Sequence, residues 1–109
     1  MKYVNAIIES KADFERALDT PLTVFVVFVS PFCPSCHDAL PRFVRMAAPY
    51  EKRVKVLILD CSKTPSHPAV DRVPMLLVYQ KGVLQEAFAG LAEQSLQQAF
   101  HTYARAPKS

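Results

Sequence analysis

Two cysteines separated by two residues, Cys33 and Cys36 in Ser30-Pro31-Phe32-Cys33-Pro34-Ser35-Cys36, stand directly after the apolar run Leu22 to Val29. One helical turn at that spacing brings two sulfurs within bonding reach, so the pair suits thiol-disulfide exchange. Cys33 falls where a buried strand is expected to give way to a helix. A thiol there lies beside unpaired N–H groups and the positive end of the helix dipole, both of which favour thiolate. Cys33 is therefore the expected nucleophile, and Cys36, one turn deeper, the thiol that resolves the mixed disulfide. Two inert small core residues are the alternative.

The string Cys33-Pro34-Ser35-Cys36-His37 also matches C-x-x-C-H, the attachment signature of c-type haem. Haem attachment needs an export route and an axial-ligand pocket, whereas this motif opens a helix beside a buried strand. A zinc site would need a second C-x-x-C, and His37 is too close in sequence to complete a tetrahedron comfortably. The expectation is no metal and no resident cofactor beyond the redox-active Cys33–Cys36 pair. His37 is expected as an exposed helix residue that, if protonated, would stabilise the Cys33 thiolate. Cys61 is expected as a small, partly buried thiol at a strand end, with a regulatory role through intermolecular pairing or glutathionylation as its alternative.

The elements that must position these thiols follow from hydrophobic period and breakers. Tyr3 to Ile8 suits a short first strand, and Ser10 three residues before Asp13 suits the N-cap of a helix through Leu18. Leu22 to Val29, almost entirely β-branched or aromatic, suits a central strand covered on both faces. A helix is expected from about Pro34 to Tyr50, with Pro34 tolerated in its first turn and Pro41 bending its interior. Val54 to Leu59 is a second buried strand. The polar stretch Asp60 to Arg72 leaves room for a short helix around Pro68 to Asp71. Met75 to Tyr79 and Val83 to Ala89 form a hairpin in which Gly82 takes the positive φ, and Ala92 to Tyr103 forms a closing amphipathic helix. A strand-helix-strand crossover makes the first two buried strands parallel while the hairpin is antiparallel, giving a mixed sheet with helices on both faces.

The 109 residues, half of them apolar, suffice for one core and too little for two, so a single domain over 1–109 with a loose tail from about Ala104 is expected. Thirteen basic and ten acidic side chains are interspersed without a basic block, which argues against nucleic-acid binding. No apolar run approaches the ~20 residues of a membrane helix. Asn5 and Glu9 break up the N-terminal apolar stretch, so no signal-peptide h-region is read, and the odd cysteine count argues against a disulfide scaffold. The cytoplasm is the expected location, with the chain as a monomer.

Taken together, the chain resembles the thioredoxin family. The matching residues are Phe32-Cys33-x-x-Cys36 after the core strand, Pro41 beyond it, Asp60 ending the next strand, Val73-Pro74 opening the hairpin, and Gly82 and Gly90 within and after it. The resemblance implies a thioredoxin fold, with about five strands in a mixed sheet and about four helices. It implies a cis Val73-Pro74 bond facing the cysteines, with Val73 offering backbone N–H and C=O groups to an extended substrate segment. It also implies a flat apolar docking surface made by Phe32, Val73, Pro74, Gly90 and Leu91, with Pro34, Ser35, His37 and Pro41 shaping the active site. A trans proline at an edge strand is the alternative for Pro74.

The chain departs from the family's pattern at several places. Val27 stands where thioredoxins carry a buried carboxylate, and Val56 where a lysine often accompanies it. Losing both together is physically consistent, because a lone charge in a core is costly whereas two valines pack. It also removes the usual proton acceptor for the resolving cysteine. Phe32 replaces the customary tryptophan and Pro34-Ser35 the customary Gly-Pro. The implied activity is a small thiol-disulfide oxidoreductase with protein disulfides as substrates, a separate reductase to recycle it, and a potential above the ~ −270 mV of thioredoxin. A thioredoxin-fold binding or assembly module with little redox turnover is the second reading, and a glutaredoxin-like glutathione enzyme the third.

Overall fold

The computed structural model describes residues 3–104. Among them run α1 (Lys11–Leu18), β1 (Thr23–Val29), α2 (Pro34–Ala47), β2 (Val54–Asp60), β3 (Met75–Gln80), β4 (Val83–Ala89) and α3 (Glu93–Tyr103). The strands form one sheet in the order β2-β1-β3-β4. β1 pairs parallel with β2 and antiparallel with β3, and β3 pairs antiparallel with β4, so the sheet is mixed as expected.

Alternation along β1 divides the core. Phe25, Val27 and Val29 face a cluster filled by Cys36, Leu40 and Phe43 of α2 and by Leu96, Ala99 and Phe100 of α3. Val24, Val26 and Phe28 face a second cluster with Leu18 of α1, Leu57, Leu59, Leu77 and Tyr79. Phe100 is the hub of the first cluster, stacked on Phe25 at a 4.7 Å centroid separation and on Tyr50 at 5.0 Å. Helices therefore cover both faces of the sheet, α2 and α3 on one and α1 on the other.

Local rules hold where expected. Ser10 caps α1 by accepting the Asp13 N–H at 3.1 Å, and Pro34 opens α2 at a position where its missing N–H has no helical partner to lose. The helix continues through Pro41 and ends at Ala47, three residues earlier than expected. A single tight turn, Ala48–Tyr50, follows, because Pro49 cannot supply an N–H to the ladder.

Four differences from the expected architecture have physical causes. Tyr3–Ile8 is not a strand: Asn5 donates its backbone N–H to the Ile58 carbonyl at 3.2 Å, and its side chain then takes the next ladder positions. Asn5 Nδ2 donates to the Val56 carbonyl at 2.9 Å and Oδ1 accepts the Ile58 N–H at 2.8 Å, so an amide replaces a partner backbone along β2. The described residues thus hold four strands. No helix forms at Pro68–Asp71, where His67 Nδ1 accepts the Ala69 N–H at 2.9 Å and closes a turn, leaving three α-helices among the described residues. The hairpin needs two positive φ values, Lys81 at 53° and Gly82 at 77°, because Gln80 pairs directly with Val83 across a two-residue loop. Ala104 is buried and donates its N–H to the Phe100 carbonyl at 2.9 Å, so the tail expected from there is anchored at its start, while 105–109 lie outside the described residues.

Candidate active site

β1 ends at Val29, and the chain turns over Ser30–Phe32 to bring Cys33 to the N-cap of α2. The turn is tied by Cys33 N–H to the Ser30 carbonyl at 3.2 Å and by Phe32 N–H to Ser30 Oγ at 3.2 Å. Cys33 keeps an extended backbone, which leaves its sulfur ahead of the first helical turn. There Sγ accepts the Cys36 N–H at 3.2 Å, the kind of bond that strengthens when the acceptor carries charge. Cys33 is half-buried and Cys36 fully buried beneath it, both as free thiols.

The second half of the site comes from forty residues downstream. Val73-Pro74 is a cis peptide bond, as expected. The Cys33 thiol points at the Val73 carbonyl across 3.8 Å, so the backbone just before the proline borders the nucleophile. Gly90, with φ of 76°, donates its N–H to the Pro74 carbonyl at 2.8 Å and joins the loop after β4 to the same ledge. Beside Cys33 a groove of about 540 Å³ opens between α2 and these loops, bordered by Ser35, Arg42, Arg72, Val73, Pro74 and Gly90.

Of the docking residues expected from sequence, Phe32 is 89% exposed, Val73 and Gly90 are half-buried, and Pro74 is buried at the groove floor. Leu91 differs. Its side chain is buried among Leu96 and Ala99, so it offers the groove its backbone, and its carbonyl accepts Arg42 Nη1 at 2.8 Å. His37 is exposed, and its Nε2 lies 3.3 Å from the Pro31 carbonyl, which makes that nitrogen the donor and the ring a brace for the Ser30–Cys33 turn. Pro41 is exposed in mid-helix, away from both sulfurs.

The surroundings of the buried thiol are apolar. Val27 is fully buried in the cluster that holds Cys36, Val56 packs against it, and among the described residues no charged or polar side chain is buried. Burial pushes the Cys36 thiol up to about 11, and the adjacent Cys33 adds to the shift. Cys61 extends the β1–β2 pairing by donating its N–H to the Val29 carbonyl at 2.8 Å. Burial and then the neighbouring Asp60 charge push its thiol up as well. Asp60 accepts from both the N–H and the hydroxyl of Ser62, which holds its carboxyl below the usual range. Among the described residues no group of three or more His, Cys, Asp or Glu side chains converges as a metal site would require, and no helix is long and apolar enough to cross a membrane.

Arg42 was not singled out from the sequence. The signal lies in its spacing, since Ser35, Asp38 and Arg42 stand at i, i+3 and i+7 and share one face of α2.

A mixed sheet with helices on both faces, a C-x-x-C at a strand-to-helix junction and a cis X-Pro bond against the first thiol define a thioredoxin-fold protein. A profile of the family described as Thioredoxin matches residues 5–102, and the chain belongs to that family. It is 32% identical over 77 residues to a thioredoxin of Synechocystis, covering 67% of this chain and 72% of that protein. It is also 27% identical over 94 residues to protein disulfide-isomerase 1 of Dictyostelium discoideum, covering 79% of this chain but only 26% of the isomerase. Among solved structures, a thioredoxin of Malassezia sympodialis superimposes with a TM-score of 0.81 at 18% identity, over 90% of this chain and 91% of the other. These relatives place the chain among disulfide oxidoreductases.

Proposed function

We propose that this protein exchanges or reduces protein disulfides through a dithiol cycle at Cys33 and Cys36. The observation that carries the reading is the placement of Cys33 Sγ between the Cys36 N–H at 3.2 Å and the carbonyl of Val73, a residue that lines an open groove, at 3.8 Å. Cys33 as thiolate attacks one sulfur of the substrate disulfide. A bond forms between Cys33 and that sulfur, and the other substrate sulfur leaves as a thiolate that takes a proton. Cys36, once deprotonated, attacks Cys33 and expels the second substrate thiolate, leaving the Cys33–Cys36 disulfide; two electrons and two protons have passed to the substrate. The electrons reside in the protein's own sulfurs, so the cycle uses no resident cofactor, and a separate reductase returns the pair to its starting state.

Resolution is the slow half of this cycle. Burial holds Cys36 as a thiol at neutral pH, with its value at about 11, and Val27 offers no carboxylate to receive the proton. In the mixed disulfide Cys33 no longer bears charge or a hydrogen-bonding thiol, so part of that shift relaxes, while the desolvation part stays. Turnover therefore rises with pH through the neutral and mildly alkaline range. We propose further that the enzyme works as a monomer in a reducing compartment such as the cytoplasm. Its potential stands above the ~ −270 mV of thioredoxin because Pro34-Ser35 replaces Gly-Pro between the thiols.

Insulin reduction tests the reading. Wild type reduces insulin, Cys33→Ser falls to the uncatalysed background, and Cys36→Ser accumulates a mixed disulfide with Cys33. Phe32, 89% exposed beside Cys33, favours a second reading as a docking module. Partner binding that survives Cys33→Ser, together with negligible wild-type turnover, selects that reading over the first.

A further inference from the structure

We propose that the groove beside Cys33 selects protein disulfides in which an acidic side chain lies two or three residues from the reactive cysteine, with Arg42 receiving its carboxylate. The inference rests on the dithiol reading and adds a substrate class to it.

Three charged side chains line the groove: Asp38, Arg42 and Arg72. Arg72 is exposed, and its guanidinium is already engaged by Asp71, through Nε at 3.2 Å and Nη2 at 3.4 Å. Arg42 is half-buried and has no carboxylate within ion-pair distance among the described residues; even Asp38, one turn earlier on the same face, does not pair with it. Its Nη1 donates to the Leu91 carbonyl at 2.8 Å, which uses one of the five N–H donors a guanidinium carries. Arg42 is thus held in place by a neutral acceptor, with no carboxylate bonded to it among the described residues. A planar fork of fixed orientation and unused donors is the geometry that takes a carboxylate by charge-assisted hydrogen bonds.

The same bond ties Arg42 to the ledge where substrate backbone would lie, since Leu91 follows Gly90, and Gly90 donates to Pro74. The cation therefore keeps a set distance from Cys33. Nine residues of helix rise ~13 Å, and a long helical side chain leans back by about one turn, ~5 Å, toward the N-terminus. The remaining ~8 Å matches two or three residues of extended chain at ~3.3 Å each. Asp38 and Asp71 nearly balance the two arginines around the groove, so selection is local, with little long-range steering.

The test uses acetylated, amidated peptide disulfides of one sequence, with Glu, Gln or Lys placed three residues from the reactive cysteine, so that the varied position supplies the sole carboxylate. For wild type, kcat/KM for Glu exceeds that for Gln by about five- to tenfold, as one charge-assisted contact allows, and Lys falls below both. Arg42→Gln brings the Glu-to-Gln ratio to about one, and Arg42→Lys restores part of it. Equal wild-type rates for Glu and Gln overturn the inference while leaving the dithiol reading intact. A ratio unchanged in Arg42→Gln, with all three peptides slowed together, overturns it too, because Arg42 would then only brace the Leu91 loop. Failure of wild type to reduce any of the peptides overturns the dithiol reading, and this inference with it.

Discussion

On the face covered by α2 and α3, β1 presents Phe25, Val27 and Val29 to a wholly apolar cluster that ends at the Cys36 thiol. On the face covered by α1, the same strand presents Val24, Val26 and Phe28 to a cluster bordered by a polar pair, His67 and Tyr79. The His67 ring accepts the Ala69 N–H on Nδ1, so Nε2 carries the proton and donates to the Tyr79 hydroxyl at 2.5 Å, with Phe14 packed edge-on against both rings. The redox face thus keeps polar side chains out of its interior, and the opposite face uses a satisfied pair to hold the loop that leads to Val73-Pro74. Chemistry in this protein is concentrated at the end of the sheet, on backbone groups and sulfur, with no charge stored beneath it.

Placing a charge on the redox face breaks the comparison most severely. Val27→Asp leaves an uncompensated group among fully buried side chains and is expected to lower stability by about 3–5 kcal/mol. Adding Val56→Lys, on the neighbouring strand beside Phe25, recovers part of that loss. Urea denaturation of the two single variants and the double variant checks the expectation, and additive losses would mean that the two positions do not meet across the core.

Acid acts on the other face. Burial lowers His67 below its ordinary 6.5, so the unfolded chain takes up a proton near that pH while the folded protein resists it. The His67 contribution is complete above about pH 6.5, is lost as pH falls below it, and levels off once the folded His67 is protonated as well. His67→Leu removes this dependence, at a cost of roughly 1–2 kcal/mol for the unpaired Tyr79 hydroxyl and Ala69 N–H. Urea midpoints for both proteins at about pH 7.5 and pH 5.5 separate the two effects; equal acid sensitivity would remove His67 as its source.

The smallest effect belongs to the edge of the sheet. Asn5→Ala deletes two side-chain bonds to β2, at Val56 and Ile58, and is expected to cost about 1 kcal/mol, because the bond to the Val56 carbonyl is exposed and that carbonyl turns to water. A loss well above that would mean that the segment before α1 is integral to the core on both faces.

Much of this was legible along the chain. Ser10 and Cys33 mark helix starts through bonds that close within three residues, Pro34 adds a first-turn position that needs no N–H, and the β-branched run of β1 suits a strand covered on both sides. Tyr3–Ile8 carried the same strand-like composition and failed, because an asparagine side chain outcompeted a second backbone for the edge of β2. Pro68–Asp71 makes a single turn in place of a helix, closed by the Val70 N–H on the His67 carbonyl at 3.0 Å, while the His67 ring that takes the Ala69 N–H is itself tied to Tyr79 on β3. Leu91 was expected at the docking surface from the family resemblance, and its apolar character draws its side chain into the core.

The sequence alone determined the two thiols, their spacing and the strand-to-helix junction that exposes one and buries the other, since these follow from neighbours within a turn. Tertiary structure decided what faces them: the Val73 carbonyl forty residues from Cys33, and the Leu91 carbonyl that anchors Arg42 across 49 residues. Contacts of that range depend on how every intervening element fills space, which no local spacing encodes.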